Sequence, residues 1–295
     1  MSNSTLSNLA LQEKTRREIL HKSDLIPPLP DFVVRLLALL NRPETEPQDL
    51  ERQLQSDQVL VAKMLAMVNS PFYGLNRSVR TIKDAVMVLG FRGVRSLVLA
   101  TSTARFLQRD YGCYGHDQKG LWAHAACVAA AAKHLARTCK LGPDAAEALF
   151  VAGLLHDIGK LLLVPYLNDA LRGRTTTATM PTTELEARLI GIDHTEAGSL
   201  VAAKWNLSTE IQEVLKAHHD ATAMGHPQSI AIVRLADAAA HERGIGYLPG
   251  RAPAPVFLPN DLATLGLLPA AWDALRQELR PIMTEAVAAL DSFAS

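Results

Sequence analysis

Apolar side chains recur at helical spacing along most of the chain, and Pro, Gly and Asn punctuate the intervals. Residues 1–24 are polar with scattered apolar positions, which predicts one amphipathic helix with a loose start. Ile26-Pro-Pro-Leu-Pro30 sets an extended entry, because proline restricts itself and the residue before it. The next helix is expected to start near Asp31, an N-cap type, with Phe32, Leu36, Leu39 and Leu40 as its stripe. After the loop Asn41–Pro47, helices are expected from Gln48 and after a cap at Asp57. Asn69-Ser-Pro-Phe-Tyr-Gly74 should stop the second of these through Pro71 and Gly74. Ile82, Ala85, Val86 and Leu89 mark a helix over 79–89, which Gly90 is expected to break before a new one over 94–106.

The second half continues in the same period. Tyr111–Asp117 reads as a turn-rich link, and Leu121–Thr138 as an alanine-rich helix suited to close packing. One apolar helix is predicted over Glu147–Leu163 with Pro165 ending it. Thr175–Thr183 reads as a loop before a helix from Glu184. Asp193 is a candidate cap for a helix reaching Trp205-Asn206, followed by helices over Thr209–His219 and Ser229–His241. A Gly/Pro-rich loop over 244–259 precedes a short helix, Asp261–Leu267, and a long one, Ala270–Phe293. No repeat, β-hairpin or long heptad pattern is visible. The expected fold is all-α: an extension over 1–24, an N-terminal helical bundle over 25–110, a helical core over 115–245, and closing helices over 246–295 that pack on the core.

Composition narrows the function classes. The 295 residues carry 30 acidic and 30 basic side chains, so no bulk charge draws the chain to nucleic acid or an anionic membrane. Hydrophobic content of 48% and charged content of 20% are those of a globular chain. Cys113, Cys127 and Cys139 form no CxxC spacing, which argues for a reducing compartment and against a cysteine zinc site. No signal peptide and no apolar run near the length of a membrane span is apparent, so a cytoplasmic location is expected. The short N-terminal helices invite comparison with a helix-turn-helix. Arg77, Arg80, Lys83, Arg92 and Arg95 serve equally as a solvated face, and nucleic-acid binding is not expected.

The chemistry concentrates in His156-Asp157 and Lys160, set in an apolar run. A buried carboxylate requires a cation or a tight partner. His124, His156, Asp157 and Asp237 make a mononuclear set of two imidazoles and two carboxylates, donors common at Fe, Mn, Ni or Zn. His194 with His218 or His219 would supply a second ion, bridged by Asp157. Two ions about 3.5–4 Å apart hold a hydroxide and the phosphate oxygens it attacks between. If the chain is an enzyme, Asp157 and Lys160 are the expected catalytic residues, the lysine offsetting phosphate charge. His134, His226 and His241 are expected to face outward from the surface.

The order His124, His156-Asp157, Asp237 resembles the HD superfamily of metal-dependent phosphohydrolases. The finer resemblance is to the HDOD group, the HD-related output domain of bacterial signalling proteins. It is carried by Leu25–Pro30, Leu65–Gly74, Ser78–Gly90, Leu154–Lys160, Gly191–Gly198, Lys204–Leu207 and Ala217–His219, in order over roughly 20 to 245. The resemblance implies an HD-like helical core behind an N-terminal bundle. It also implies a regulatory role, with signalling proteins and a nucleotide or cyclic dinucleotide as candidate partners. His124, His156-Asp157 and Asp237 match the superfamily's metal residues. His194, His218 and His219 look like the extra histidines of the cyclic-di-GMP phosphodiesterase branch, whose sites hold two or three metals. That branch follows its paired histidines with an Asp-Gly-x-Gly-Tyr-Pro-like element. Here Asp220–Pro227 follows, and Gly246-Tyr247-Leu-Pro249 lies beyond Asp237. A receiver domain is not expected, since no alternating strand–helix region precedes the bundle. The closing helix is a candidate dimer contact or core cover.

Overall fold

The computed structural model describes residues 3–21, 25–55, 57–70, 73, 75, 78–172, 181–220, 225–248 and 259–291. Among these residues the chain is all-α, fourteen α-helices and one 3-10 turn, with a lone β-bridge between His116 and Tyr247. The predicted stop at Pro71 and Gly74, the loop over 175–180 and the loop residues 249–258 lie outside the described residues.

The N-terminal helices are α1 (Asn3–His21), α2 (Asp31–Leu40), α3 (Pro47–Leu54) and α4 (Gln58–Val68). Their starts follow local chemistry. Pro30, not Asp31, holds the cap position of α2, and Asp31 sits in its first turn, where the helix dipole favours a carboxylate. Glu46 and Asp49 cap α3 reciprocally, and Asp57 accepts from the Leu60 N–H at 2.9 Å to start α4. Asn69 closes α4 by donating to the Leu65 and Val79 carbonyls while accepting the Val79 N–H, all at 2.7 Å.

Gly90 interrupts the helix as expected, so that two helical segments meet there at a kink and together make one element. The helix α5 runs Ile82–Leu107, with Gly90 alone at φ 68°, a conformation that glycine adopts without strain. Arg92 pairs with Asp144 and Arg95 donates to Asn41 at 2.7 Å, so part of the predicted basic cluster is engaged within the protein.

The core is built on α6 (Gly120–Thr138) and α7 (Pro143–Leu155). Ala125, Ala129 and Ala132 are buried, and a Cβ on Gly153 would stand 2.9 Å from the Ala129 Cα. Small residues on both sides therefore let the two backbones approach closely. The remaining helices are α8 (Lys160–Leu171), α9 (Thr182–Ile190), α10 (His194–Lys204), α11 (Thr209–Ala217), α12 (Pro227–Glu242), α13 (Pro259–Thr264) and α14 (Pro269–Asp291). Trp272, Leu275, Leu279 and Met283 of α14 are buried against this core, and Cys127 on α6 donates its S–H to the Met283 carbonyl at 3.4 Å. The closing helix thus covers α6.

The single helix predicted over 147–163 is two. The α7 helix ends at Leu155, a turn carries His156-Asp157-Ile158-Gly159, and α8 restarts at Lys160. Pro165 lies inside α8 and does not end it, removing only the donor that would reach the Leu161 carbonyl. Two stretches, Ile82–Leu107 and Pro143–Leu171, are long and apolar enough to cross a membrane, which corrects the expectation of none. Both are mostly buried among other helices, as core helices are, and the second is interrupted by Asp157 and Lys160.

Candidate metal centre

Six elements bring the polar residues together. His124 comes from α6, His156 and Asp157 from the α7–α8 turn, and Lys160 from the first position of α8. His194 opens α10, His218 and His219 follow the last turn of α11, and Asp237 lies on α12. His124, His156, His194 and His218 are completely buried, and Asp157 is 2% exposed.

Local structure fixes each of these. Asp193 caps α10 by accepting the Thr195 and Glu196 N–H groups, which aims the next residue, His194, inward. The His-Asp turn abuts that start so tightly that a Cβ on Gly159 would fall 2.0 Å from the His194 carbonyl oxygen. Arg234, 6% exposed, donates to the carbonyls of Ala217, His218 and Asp220 and to Asp261 Oδ1. It thereby satisfies the orphan carbonyls where α11 ends and holds the paired histidines in place.

Both carboxylates are shared. Asp157 Oδ1 lies 3.2 Å from His194 Nε2, and its Oδ2 lies 3.3 Å from His156 Nε2, 3.9 Å from His124 Nε2 and 2.6 Å from Lys160 Nζ. Asp237 Oδ1 lies 3.0 Å from His124 Nε2 and 3.6 Å from His156 Nε2. The four residues of the mononuclear set are therefore neighbours. His194, His218 and His219 form a second group whose donor atoms lie within 4.8 Å of one another. Asp157 stands between the two groups, one oxygen toward each.

The rings are held as metal ligands would be. His156 Nδ1 donates to the Gly153 carbonyl at 2.7 Å, and His218 Nδ1 to the Leu215 carbonyl at 2.8 Å. A carbonyl only accepts, so in the neutral rings Nδ1 carries the proton and Nε2 keeps its lone pair. His194 Nδ1 lies 2.7 Å from Glu186 Oε2, whose carboxylate also accepts the His194 backbone N–H. The Nε2 atoms of His156, His194 and His218 are buried and have no hydrogen-bond partner among the described residues. Inward-facing lone pairs backed by carbonyl or carboxylate partners are the arrangement of a histidine metal site. The donor set of imidazoles and carboxylates fits Fe, Mn, Ni or Zn.

Charge within the cluster follows from burial set against these contacts. Burial opposes ionisation of Asp157, but Lys160, His156 and His194 hold its carboxyl well below the usual range. Asp237 is likewise held low, burial being outweighed by His241, His124 and His156. Burial depresses His124 to about 4 despite its bond to Asp237. His219 falls to about 3 through burial and His194, and His218 falls well below its usual value through burial and His219. His156 goes the other way: with no cation at the centre, Asp157 and Asp237 outweigh burial and raise it to about 10, so a metal ion bound at its Nε2 would displace a proton there.

The histidines expected at the surface divide. His226 is exposed beside Glu213, at 3.4 Å, and His134 is partly exposed, 3.5 Å from Glu278. His241 is instead turned into the cluster, its Nε2 3.0 Å from Asp237 Oδ1 and its side chain 10% exposed. Its position four residues after Asp237 puts both on one face of α12, and that spacing was the available signal. His116 and Tyr247 carried no such signal. The Gly246 backbone sits against Gly120 at the start of α6, each leaving no room for a Cβ on the other. That contact, the Leu248 N–H to the Gly115 carbonyl at 2.8 Å and His116 Nδ1 to the Gly246 carbonyl at 3.0 Å dock the segment. Tyr247 then stacks on His116 at 4.2 Å and meets His124 edge-on at 5.5 Å. The Gly246-Tyr247 pair, distant from the motif in sequence, thus returns to the rim of the centre.

Comparison with known proteins agrees with this architecture. A Geobacter sulfurreducens HDOD domain protein of unknown function is 26% identical, with a TM-score of 0.71 over 98% of this chain and 99% of that one. Proteins of Shewanella amazonensis (24% identical, TM-score 0.70, 92% and 97% covered) and Marinobacter aquaeolei (21%, 0.73, 98% and 67%) share the fold. An uncharacterised Treponema pallidum protein is 26% identical over 220 residues, 72% of this chain. The match spans 42% of that relative's own length. The HDOD domain model matches residues 26–221, about two thirds of the chain, and the chain belongs to the HDOD family.

Proposed function

We propose that this chain is an HDOD signalling module of the bacterial cytoplasm whose HD-like core holds one or two metal ions and which acts by binding a protein or small-ligand partner. The observation that carries the metal reading is the convergence of His124, His156, Asp157, His194, His218, His219 and Asp237, with the Nε2 atoms of His156, His194 and His218 turned inward. Fe, Mn, Ni and Zn suit the donors. When bound, such an ion supplies Lewis acidity and an activated water; when coordinatively closed, it cross-links the helices that carry its ligands.

Binding is favoured over turnover by two features. Lys160 is 4% exposed and is engaged with Asp157 at 2.6 Å, where it neutralises the carboxylate. The element that follows the paired histidines in the cyclic-di-GMP phosphodiesterases is missing from Asp220–Pro227. The bundle over 25–110 would then serve as the regulatory half and the core over 115–245 as the metal-holding half.

A second reading has its own support. The two oxygens of Asp157 face different histidine groups, as a carboxylate bridging two ions must. On that reading the chain is a metal-dependent phosphohydrolase or phosphodiesterase acting on a nucleotide or cyclic dinucleotide. Asp157 then bridges the ions, and Lys160 offsets phosphate charge.

Elemental analysis of protein purified without added metal or chelator, beside an Asp157→Ala variant, tests both. Near-stoichiometric metal in the parent and its loss in the variant is the expected result. Metal-loaded parent is then assayed against cyclic dinucleotides and nucleotides. Turnover that disappears in Asp157→Ala would select the second reading, and binding without turnover the first. A parent that takes up no metal even on reconstitution rules out the metal centre in both.

A further inference from the structure

Asp237 and His241 lie one turn apart on α12 and both face inward, their side chains 9% and 10% exposed. His241 Nε2 and His124 Nε2 each lie 3.0 Å from the same atom, Asp237 Oδ1, and His156 Nε2 lies 3.6 Å from it. A carboxylate oxygen has two acceptor sites, so two imidazole N–H groups fill it, and His156 Nε2 at 3.6 Å stands beyond hydrogen-bond reach. A cation at the point where these nitrogens meet would accept their lone pairs and the carboxylate charge together.

Among the described residues, the surroundings of His241 offer little else. Tyr247 OH is its other polar neighbour in contact, at 3.5 Å, too long for a strong hydrogen bond. Its ring meets that of His124 edge-on at 4.9 Å and lies 5.3 Å from Tyr247, so it is walled by aromatic groups. The donor atoms of His124, Asp237 and His241 lie within 4.8 Å of one another. Two imidazoles and one carboxylate form a donor set that Fe(II), Mn(II) and Zn(II) accept.

We propose that His241 is itself a metal ligand, completing with His124 and Asp237 a cation subsite on the α6–α12 side of the centre. It lies away from the group formed by His194, His218 and His219. The inference rests on the reading of the cluster as a metal centre and adds a ligand from outside the sequence motif that defines it.

The test uses the whole chain after chelator treatment, titrated with Co2+ while bound metal and the visible ligand-field bands are recorded. The parent, His241→Gln and the surface control His134→Gln are compared. The expected result is loss of one Co2+ equivalent in His241→Gln, or shifted bands with more than tenfold weaker binding, and no change in the control. A His241→Gln chain with the parent's stoichiometry and bands, even at lower affinity, makes His241 only a hydrogen-bond partner of Asp237 and overturns the proposal. A parent that binds no Co2+ overturns the metal reading itself, and the proposal with it. Should His241→Gln lose its helical signal, the Zn2+-loaded parent labelled with 15N-histidine decides. A metal-bound nitrogen shift at His241 Nε2 supports the assignment, and an unshifted nitrogen ends it.

Discussion

An imidazole held neutral by the fold makes stability depend on pH, and this centre contains three. In the unfolded chain histidine titrates near 6.5, whereas here His124 is depressed to about 4, His219 to about 3 and His218 well below its usual value. Between those values the unfolded chain binds protons that the folded chain does not, so stability falls as pH drops from about 6.5 toward 4. Asp157 and Asp237, held low, support folding above the ordinary carboxylate range and withdraw that support below it. His156 acts with the opposite sign. Raised to about 10, it stabilises fully below 6.5, and its contribution is lost as pH climbs toward 10. Chelator-treated protein should therefore be most stable near neutrality, with the acid limb steeper than the alkaline one. Urea midpoints between pH 4.5 and 9.5, measured in EDTA, check this, and a flat profile would contradict the buried neutral rings. At this scale the sequence was most readable where chemistry is local. The His156-Asp157 doublet and the histidines following in order stand out, because a charged group in an apolar run is costly unless a cation or a close partner offsets it. His241 did not, since its inward turn depends on α12 reaching Glu242 and on Tyr247 folding back beside it.

Among the elements, those with starts and stops written in one or two residues were the legible ones. Asp57 and Asp193 cap where their side chains suggest, and Gly191 at φ 81° closes α9. The break between α7 and α8 was not legible, because apolar periodicity continues through it and only contact with α10 demands it. Gly159 is the hinge of that contact, facing the His194 carbonyl at 2.0 Å and the Gly198 nitrogen at 2.5 Å from a hypothetical Cβ. Both opposing atoms are backbone, so neither can swing aside. Gly159→Ala should push the His-Asp turn away from α10, separating Asp157 from His194 and weakening metal binding at least tenfold. The overpacking should also cost about 1–3 kcal/mol or more in stability. Denaturant unfolding with metal titration measures the two together. Gly90→Ala is the informative comparison, because Gly90 has nothing within 4 Å of its would-be Cβ and is limited only by its φ of 68°. It should lose stability and leave metal affinity unchanged.

At the scale of the whole molecule, helical class and element order could be read from periodicity, but the degree of joining between the halves could not. Apolar patterning says that a face is buried without saying against what. In the structure one continuous apolar core runs from Ile19 through Leu36, Leu97 and Leu154 to Met283. Buried polar contacts cross it as well. Lys133 on α6 pairs with Glu147 on α7 at 2.5 Å while its ammonium lies 4.8 Å from the Tyr73 ring of the N-terminal half. Trp205, just past the end of α10, donates to the Pro27 carbonyl at 3.0 Å, and Arg16 on α1 forks onto Glu196 of α10 at 2.6 and 2.9 Å. The last pair is partly solvated and contributes on the order of 0–1 kcal/mol. The shared apolar core is the larger coupling. A chain so joined should melt in one calorimetric transition, not in separate steps for the bundle and the core. Because an ion that binds only the folded chain stabilises by RT ln(1 + [L]/Kd), metal at about 100 times Kd should add about 2.7 kcal/mol. The whole transition should then move up together, even though every proposed ligand lies in the second half. Two separable transitions, with only one responding to metal, would mean that the halves fold independently. The centre could then pass no information to the bundle through folding stability. A single transition that shifts intact would give a bound ion direct thermodynamic leverage over the N-terminal half.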